Sequence, residues 1–448
     1  MLDLISMIIS YCLALYLPFL ALLSILYKKP EKAEKRAGNV EFVIVTIGTE
    51  SVRDALFETL DRVTNMFAEY KIYVLTEEYA SLIPEIKRYP VDVVIVPRSY
   101  TCKAKYKARA LNYFVETRVK ENMWYVFLDD DSYPLDDNFL YELPIFEKKG
   151  YVAGNGILIP RRGRSKLTYL ADFLRTATDL LFLRFTLGVL RRPWLFGLHG
   201  ELLIVKGWVL KEIGFNFDSI AEDSRFAAEI FRKKYRTFQT TTEVSILSPN
   251  SVSAFWRQRA RWIRGILHDV KEYPSPLREI TLITMILWFP SIFGYTFLIL
   301  DTINILYSIA LYIQSLATIT VLYHNVNSIL AFFYSLIINS SVKQSAMIPL
   351  SFIIRNITPA RLWLIFLILT YFIGGRGKDK ILVVVCLYIV ALIEFLAPLY
   401  ALLFYKGGFV VINKNIMERR IALCELNFEP EYLDLFATYN YNVKKSLL

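Results

Sequence analysis

The sequence predicts an α/β domain built on a mostly parallel, doubly wound sheet and joined to a region of membrane-spanning helices. Three observations predict it. Short β-rich apolar runs alternate with helical and polar segments through residues 41–127. A charge-free apolar run fills residues 4–27, and apolar runs return after residue 277. At 448 residues, 55% hydrophobic and 15% aromatic, the chain has room for one soluble domain of about 230 residues plus several membrane helices, and for no second catalytic domain.

Residues 1–27 form the first element. The run 4–27 exceeds the ~20 residues that cross a bilayer. Lys28, Lys29, Lys32, Lys35 and Arg36 follow at once, which makes 28–40 a basic linker on the cytoplasmic side and places the next domain in the cytoplasm. A signal peptide is the rival reading, but the apolar run is long for one and no small-residue cleavage site precedes the basic stretch. In the domain, EFVIVTIG (41–48), YKIYVLT (70–76) and VDVVIVP (91–97) read as strands, with a helix at 51–63 and a polar segment at 77–90.

YVFLDDDSYP (125–134) reads as a further strand that ends in Asp129, Asp130 and Asp131. Side chains alternate along a strand, so Asp129 and Asp131 are expected to point one way and Asp130 the other. Two such carboxylates suit Mg²⁺ or Mn²⁺, which completes its oxygen shell with substrate phosphates. The plain alternative is an acidic turn closing a strand, with Ser132 and Pro134 as turn formers. Ligands of such sheets gather at the carboxyl ends of the strands, so Thr46, Glu50, Glu77 and the loop after Val96 are expected to face a nucleotide. Glu50 and Glu77 have a second reading as solvated loop carboxylates.

FWRQRARWIRG (255–265) follows the acidic pair Glu222-Asp223 and leads into the hydrophobic last third. On a helix Gln258, Arg261 and Trp262 share one face. That face suits phosphate and sugar together: a guanidinium fork for phosphate, an amide, and an indole for a sugar ring. An amphipathic helix lying on a membrane surface over 254–270 fits the same residues.

The order of these motifs resembles the inverting family 2 membrane glycosyltransferases of GT-A fold, whose marks are Asp-x-Asp, a Thr/Ala-Glu-Asp triplet and Q-x-x-R-W. HGE (199–201), SIAED (219–223), FRKKY (231–235), Ser248-Pro249 and QRARWIRGI (258–266) resemble most the egghead-type β-1,4-mannosyltransferases. The resemblance spans roughly 41–275. It implies a GT-A domain over 41–277, GDP-mannose as the nucleotide-diphosphate sugar donor, and a β-linked mannosyl glycolipid made from a lipid or glycolipid acceptor. It also implies roles. A divalent metal at Asp129 and Asp131 neutralises the departing diphosphate, and Asp223 is the general base, with Glu222 as its competitor. Gln258 and Arg261 stabilise the leaving group, Trp262 supports the acceptor sugar, and His199 and Glu201 stand at the acceptor pocket. TCKAKYKARALNYF (101–114) resembles the family's GKAxALN stretch, with Lys107 and Asn112 as the matches that approach the donor.

After residue 277, apolar runs at about 280–300, 302–323, 328–340, 346–354, 361–374 and 381–405 predict four to six membrane or interfacial elements, so the whole reads as a multi-pass protein of the cell membrane. Residues 406–448 form a tail whose pattern carries no reading. The net charge of +10 does not mark a nucleic-acid binder. The charges sit beside apolar runs or in the short segments 98–109 and 161–166, a pattern that suits anionic headgroups and a nucleotide diphosphate. Cys12, Cys102, Cys386 and Cys424 form no CxxC pair, and three scattered histidines form no metal cluster. GGRGKDK (374–380) lacks P-loop spacing. Two rivals share the features. A processive polysaccharide synthase carries the same three motifs, and a transporter or channel would explain Glu394 inside the last apolar run.

Overall fold

The computed structural model describes residues 19, 22–194, 197–288, 313–314, 382, 386–405 and 412–415. The four strands expected from the sequence are present as β1 (Val40–Val45), β2 (Lys71–Glu77), β3 (Asp92–Val96) and β4 (Trp124–Asp129). β1 pairs in parallel with both β2 and β4, and β2 with β3. The crossovers carry helices α1 (Arg53–Met66), the single turn α2 (Ile83–Ile86) and α3 (Tyr106–Arg118). Alternation along β1 sends Phe42 and Ile44 into one apolar layer with Trp124 and Phe139, and Val43 and Val45 into the other with Phe114 and Phe127.

The second half adds antiparallel pairings to a sheet whose pairings are mostly parallel, as expected. Beyond β4 lie β5 (Ser132–Pro134), α4 (Asn138–Lys148), β6 (Tyr151–Arg161), α5 (Lys166–Leu183), β7 (Leu203–Lys206), α6 (Gly207–Ile213), α7 (Glu222–Arg232) and β8 (Arg236–Leu247). The strand order is β3-β2-β1-β4-β7-β6-β8-β5. β4–β7, β6–β7 and β5–β8 run antiparallel, while β6–β8 is parallel, so the eight-stranded sheet is mixed. β8 defeats a period-2 reading, because Thr237, Thr240 and Thr242 are as buried as Phe238 and Val244.

The motif helix is α8 (Val252–Asp269), close to the predicted 254–270. It packs against α5 and against α10 (Leu387–Leu403), with α9 (Leu277–Trp288) following it in the chain. Within 254–269 only Arg257 and His268 are exposed. No helix among the described residues is long and apolar enough to cross a membrane. Most of the expected span 4–27 and of the elements between 289 and 385 lies outside the described residues, as does the tail apart from 412–415.

Candidate active site

β4 ends at Asp129, and Asp130 and Asp131 form a turn before β5. The alternation expected through Asp131 therefore stops two residues early, and the three carboxylates divide differently. Asp129 meets the Lys107 ammonium at 2.5 Å. Asp130 and Asp131 share the Lys414 ammonium, at 2.6 and 2.8 Å. Thr46, at the carboxyl end of β1, donates its hydroxyl to Asp130 at 2.8 Å.

Lys107 sits one residue inside α3, behind Tyr106, whose φ of 53° is in the left-handed region that side chains other than glycine rarely adopt. The same ammonium reaches Glu222 at 3.0 Å, tying the start of α7 to β4. Gly200 closes the turn over this pair. A Cβ there would stand 2.7 Å from the Lys107 Nζ and 3.6 Å from both Asp129 carboxylate oxygens. Burial alone would discharge Lys107, but Asp129, Glu222 and Asp223 outweigh it and hold the ammonium firmly protonated. Burial likewise pushes Asp129 up, and Lys107 and Lys414 reverse the effect, leaving it below the ordinary aspartate value. Asp130 is raised by its burial.

Asp223 begins α7 beside Glu222. Its Oδ1 accepts the Ser224 N–H at 2.7 Å and its Oδ2 the Gly200 N–H at 3.1 Å. Burial, then Glu222, pushes it up to about 6, against the pull of Lys107 and His199. Lys107, Gly200, Glu222 and Asp223 line a small cavity floored by Leu111, Phe127 and Phe215. A carboxyl raised to about 6 is ionised at neutral pH and is a stronger base than an ordinary aspartate, which suits it to accept a proton.

α8 is pressed onto the loop that carries these acids. At Gly265 a Cβ would meet the Ala221 Cβ at 2.8 Å, which explains the glycine of the motif. Asp269 accepts the Ser219 hydroxyl, and that hydroxyl accepts the Ala221 N–H at 3.0 Å. Arg261 acts electrostatically on Asp129, and Gln258 accepts a 2.8 Å bond from Arg259. Trp262 does not stand as an open platform. The guanidinium carbons of Arg259 and Arg175 lie 4.5 and 5.1 Å from its ring centroid. His199 is anchored through its backbone to Asn155, and its ring nitrogen stands 3.9 Å from Asp179. Glu201 acts electrostatically on Asp223 and Arg175.

Three expected donor residues are taken by protein partners. Glu50 grips Arg53 with both oxygens at 2.6 Å. Glu77 is paired with Arg109, and burial raises it despite that partner. Asn112 is buried, donating to Tyr100 and Glu116 and accepting from the Phe215 N–H. Lys414 lies in no motif that would mark it as a site residue. It reaches the aspartates because 412–415 is stitched down: Lys414 N–H donates to the Ser51 carbonyl, Asn415 to the Glu50 carbonyl, and Asn250 to the Asn413 and Asn415 carbonyls.

Among the described residues no three His, Cys, Asp or Glu side chains are grouped to hold a metal by themselves. The donor set at the turn is all carboxylate oxygen, and two ammonium groups already sit against it. That chemistry fits a hard divalent cation completed by phosphate oxygens.

A half-buried carboxylate raised to about 6, flanked by cations that can balance an anionic leaving group and set at the carboxyl end of a mixed sheet, defines an enzyme of group-transfer type. The chain belongs to the glycosyl transferase family group 2, whose model matches residues 124–405. It is similar to the β-1,4-mannosyltransferase bre-3 of Caenorhabditis briggsae, 30% identical over 207 residues, covering 44% of this chain and 45% of that protein. It is also similar to the β-1,4-mannosyltransferase egh of Drosophila melanogaster, 29% identical over 256 residues, covering 54% and 53%. The chain thus spans about half the length of the curated relatives it matches. A solved mannosyltransferase from Pyrobaculum calidifontis, in complex with GDP-Man and Mn²⁺, aligns with a TM-score of 0.45 at 15% identity over 87% of this chain and 98% of that one.

Proposed function

We propose that this protein transfers mannose from GDP-mannose, with inversion, to a lipid or glycolipid acceptor at a membrane. The observation that carries the chemistry is the Asp223 carboxyl, raised to about 6 and set in one cavity with the Lys107 ammonium that holds Asp129. That its relatives are β-1,4-mannosyltransferases supports the choice of sugar.

In the proposed reaction Asp223 takes the proton of the acceptor hydroxyl as its oxygen bonds to the anomeric carbon. The bond from that carbon to the phosphate oxygen breaks on the opposite face, and the nucleoside diphosphate leaves with the electron pair. Asp129 and Asp131 would hold Mg²⁺ or Mn²⁺, which supplies charge neutralisation of the diphosphate when bound. Lys107, Lys414 and Arg261 add fixed positive charge on the same side, while His199 and Glu201 border the base. Membrane attachment is supported by the apolar run 4–27 and its flanking basic residues, with the catalytic domain on the cytoplasmic side.

The test is a donor screen of the full chain with radiolabelled nucleotide sugars and a membrane lipid extract. One labelled mannose added to a lipid product, from GDP-mannose only, is expected. Transfer from a different nucleotide sugar, or a long polymer, would overturn the reading. A cysteine placed at Glu34 should resist an impermeant reagent in intact cells, and labelling there would overturn the topology.

A further inference from the structure

Arg259 stands inside the motif helix at a position to which the transfer reading assigns no role, yet it is one of the largest fully buried side chains, 1% exposed. Each arm of its guanidinium is taken by a different element. Nη2 meets Asp172 of α5 at 2.5 Å, Nε meets Glu394 of α10 at 3.2 Å, and Nη1 donates to the Gln258 Oε1 at 2.8 Å. Its flat faces are engaged as well, with the Phe255 centroid at 4.1 Å and the Trp262 centroid at 4.5 Å. Asp172 is shared with Arg175, whose guanidinium also lies over Trp262.

Two consequences follow from the chemistry. A guanidinium only donates, so the Gln258 amide must turn its oxygen toward Arg259, and its two N–H donors then point elsewhere. An ion network buried this deeply stabilises a fold little better than well-packed apolar side chains would, and what it supplies is a fixed geometry. α10 is bound to α8 at two more points, by the Trp256 indole N–H on the Ile393 carbonyl at 2.9 Å and by Arg264 on the Ala401 and Leu402 carbonyls at 2.8 and 3.1 Å.

We propose that Arg259, clamped between Asp172 and Glu394, is a positioning residue for sugar transfer that orients Gln258 as a hydrogen-bond donor toward substrate oxygen and fixes the Trp262 indole. This deepens the transfer reading and rests on it. Glu394, which invites a transport reading when seen in an apolar run, is here the counter-charge of the motif helix.

The test is a double-mutant cycle on the full chain, pairing Arg259→Lys with Gln258→Glu. The lysine keeps the charge and loses the fork, while the glutamate still accepts from Arg259 and loses the N–H donors. Each variant should lower kcat for mannosyl transfer roughly 30-fold with little change in the donor KM, and the loss in the double variant should fall well short of the product of the two single losses. Glu394→Gln, a milder change, should give a loss of roughly fivefold that vanishes in the Gln258→Glu background. Losses that multiply, in either cycle, would overturn the assignment while leaving the transfer reading standing. A wild-type chain that transfers sugar from no nucleotide donor would overturn both.

Discussion

Two charged clusters of the protein, one at the end of β4 and one around α8, are built from different cations. At the end of β4 the carboxylates of Asp129, Asp130 and Asp131 are met by lysines, Lys107 and Lys414. Around α8 the acids Asp172, Asp179 and Glu394 are met by arginines, Arg259 and Arg175. A lysine ammonium is a compact point charge on a flexible stem, whereas a guanidinium is a planar fork that fixes several partners at once. The first cluster is suited to exchange its partners for a diphosphate and a metal. The second is suited to hold a shape.

That contrast can be broken experimentally. The largest effect is expected in the lysine cluster. Asp129→Asn leaves Lys107 with one acid fewer and removes a metal ligand, and transfer should fall by about 10²–10³, the range for losing one preorganised electrostatic group. Assaying kcat across a Mn²⁺ titration checks it, and a variant restored by excess metal would confine the role of Asp129 to metal affinity. A smaller effect is expected at Lys414→Met. The donor KM should rise about tenfold, equal to about 1.4 kcal/mol, while Mn²⁺ binding without donor should tighten because the ammonium no longer competes for the metal ligand Asp131. If metal affinity is unchanged, Lys414 and the metal do not share Asp131.

Stability should separate from chemistry at the α8 contact with the acid-bearing loop. Gly265→Ala adds a methyl where 2.8 Å is available, and overpacking of this kind costs about 1–3 kcal/mol. A lower midpoint in thermal unfolding is expected, with residual activity limited by the fraction folded. A midpoint equal to that of the parent would show that the helix and loop part easily.

The sequence made one half of this architecture legible and obscured the other for physical reasons. β1, β2 and β4 are buried on both faces, and with the edge strand β3 they read as apolar runs. β8 interrupts its pattern with buried threonines, of which Thr240 donates its hydroxyl to Glu142 and Thr242 accepts the Phe139 N–H, and so hides among polar segments. The site divides the same way. Asp129, Glu222, Asp223 and Lys107 come together because each sits at an element terminus. Lys414 lies in a segment with no periodicity, and Arg259, Asp172 and Glu394 are 87 and 135 residues apart in the chain, so only folding reveals their contact. Glu50 took the solvated-loop reading that its spacing left open, paired with Arg53 on the surface.

The central claim is that Asp223 removes the acceptor proton, and the pH profile of the parent against Asp223→Asn tests it most directly. Asp223 must be ionised to accept a proton, and its value is raised to about 6, so kcat should fall as pH drops through about 6 and level off above it. In Asp223→Asn that limb should disappear and transfer should drop by about 10²–10⁴ at neutral pH, with donor binding within a few-fold of the parent. An asparagine variant that transfers mannose near the parental rate, with the acid limb intact, would contradict the account.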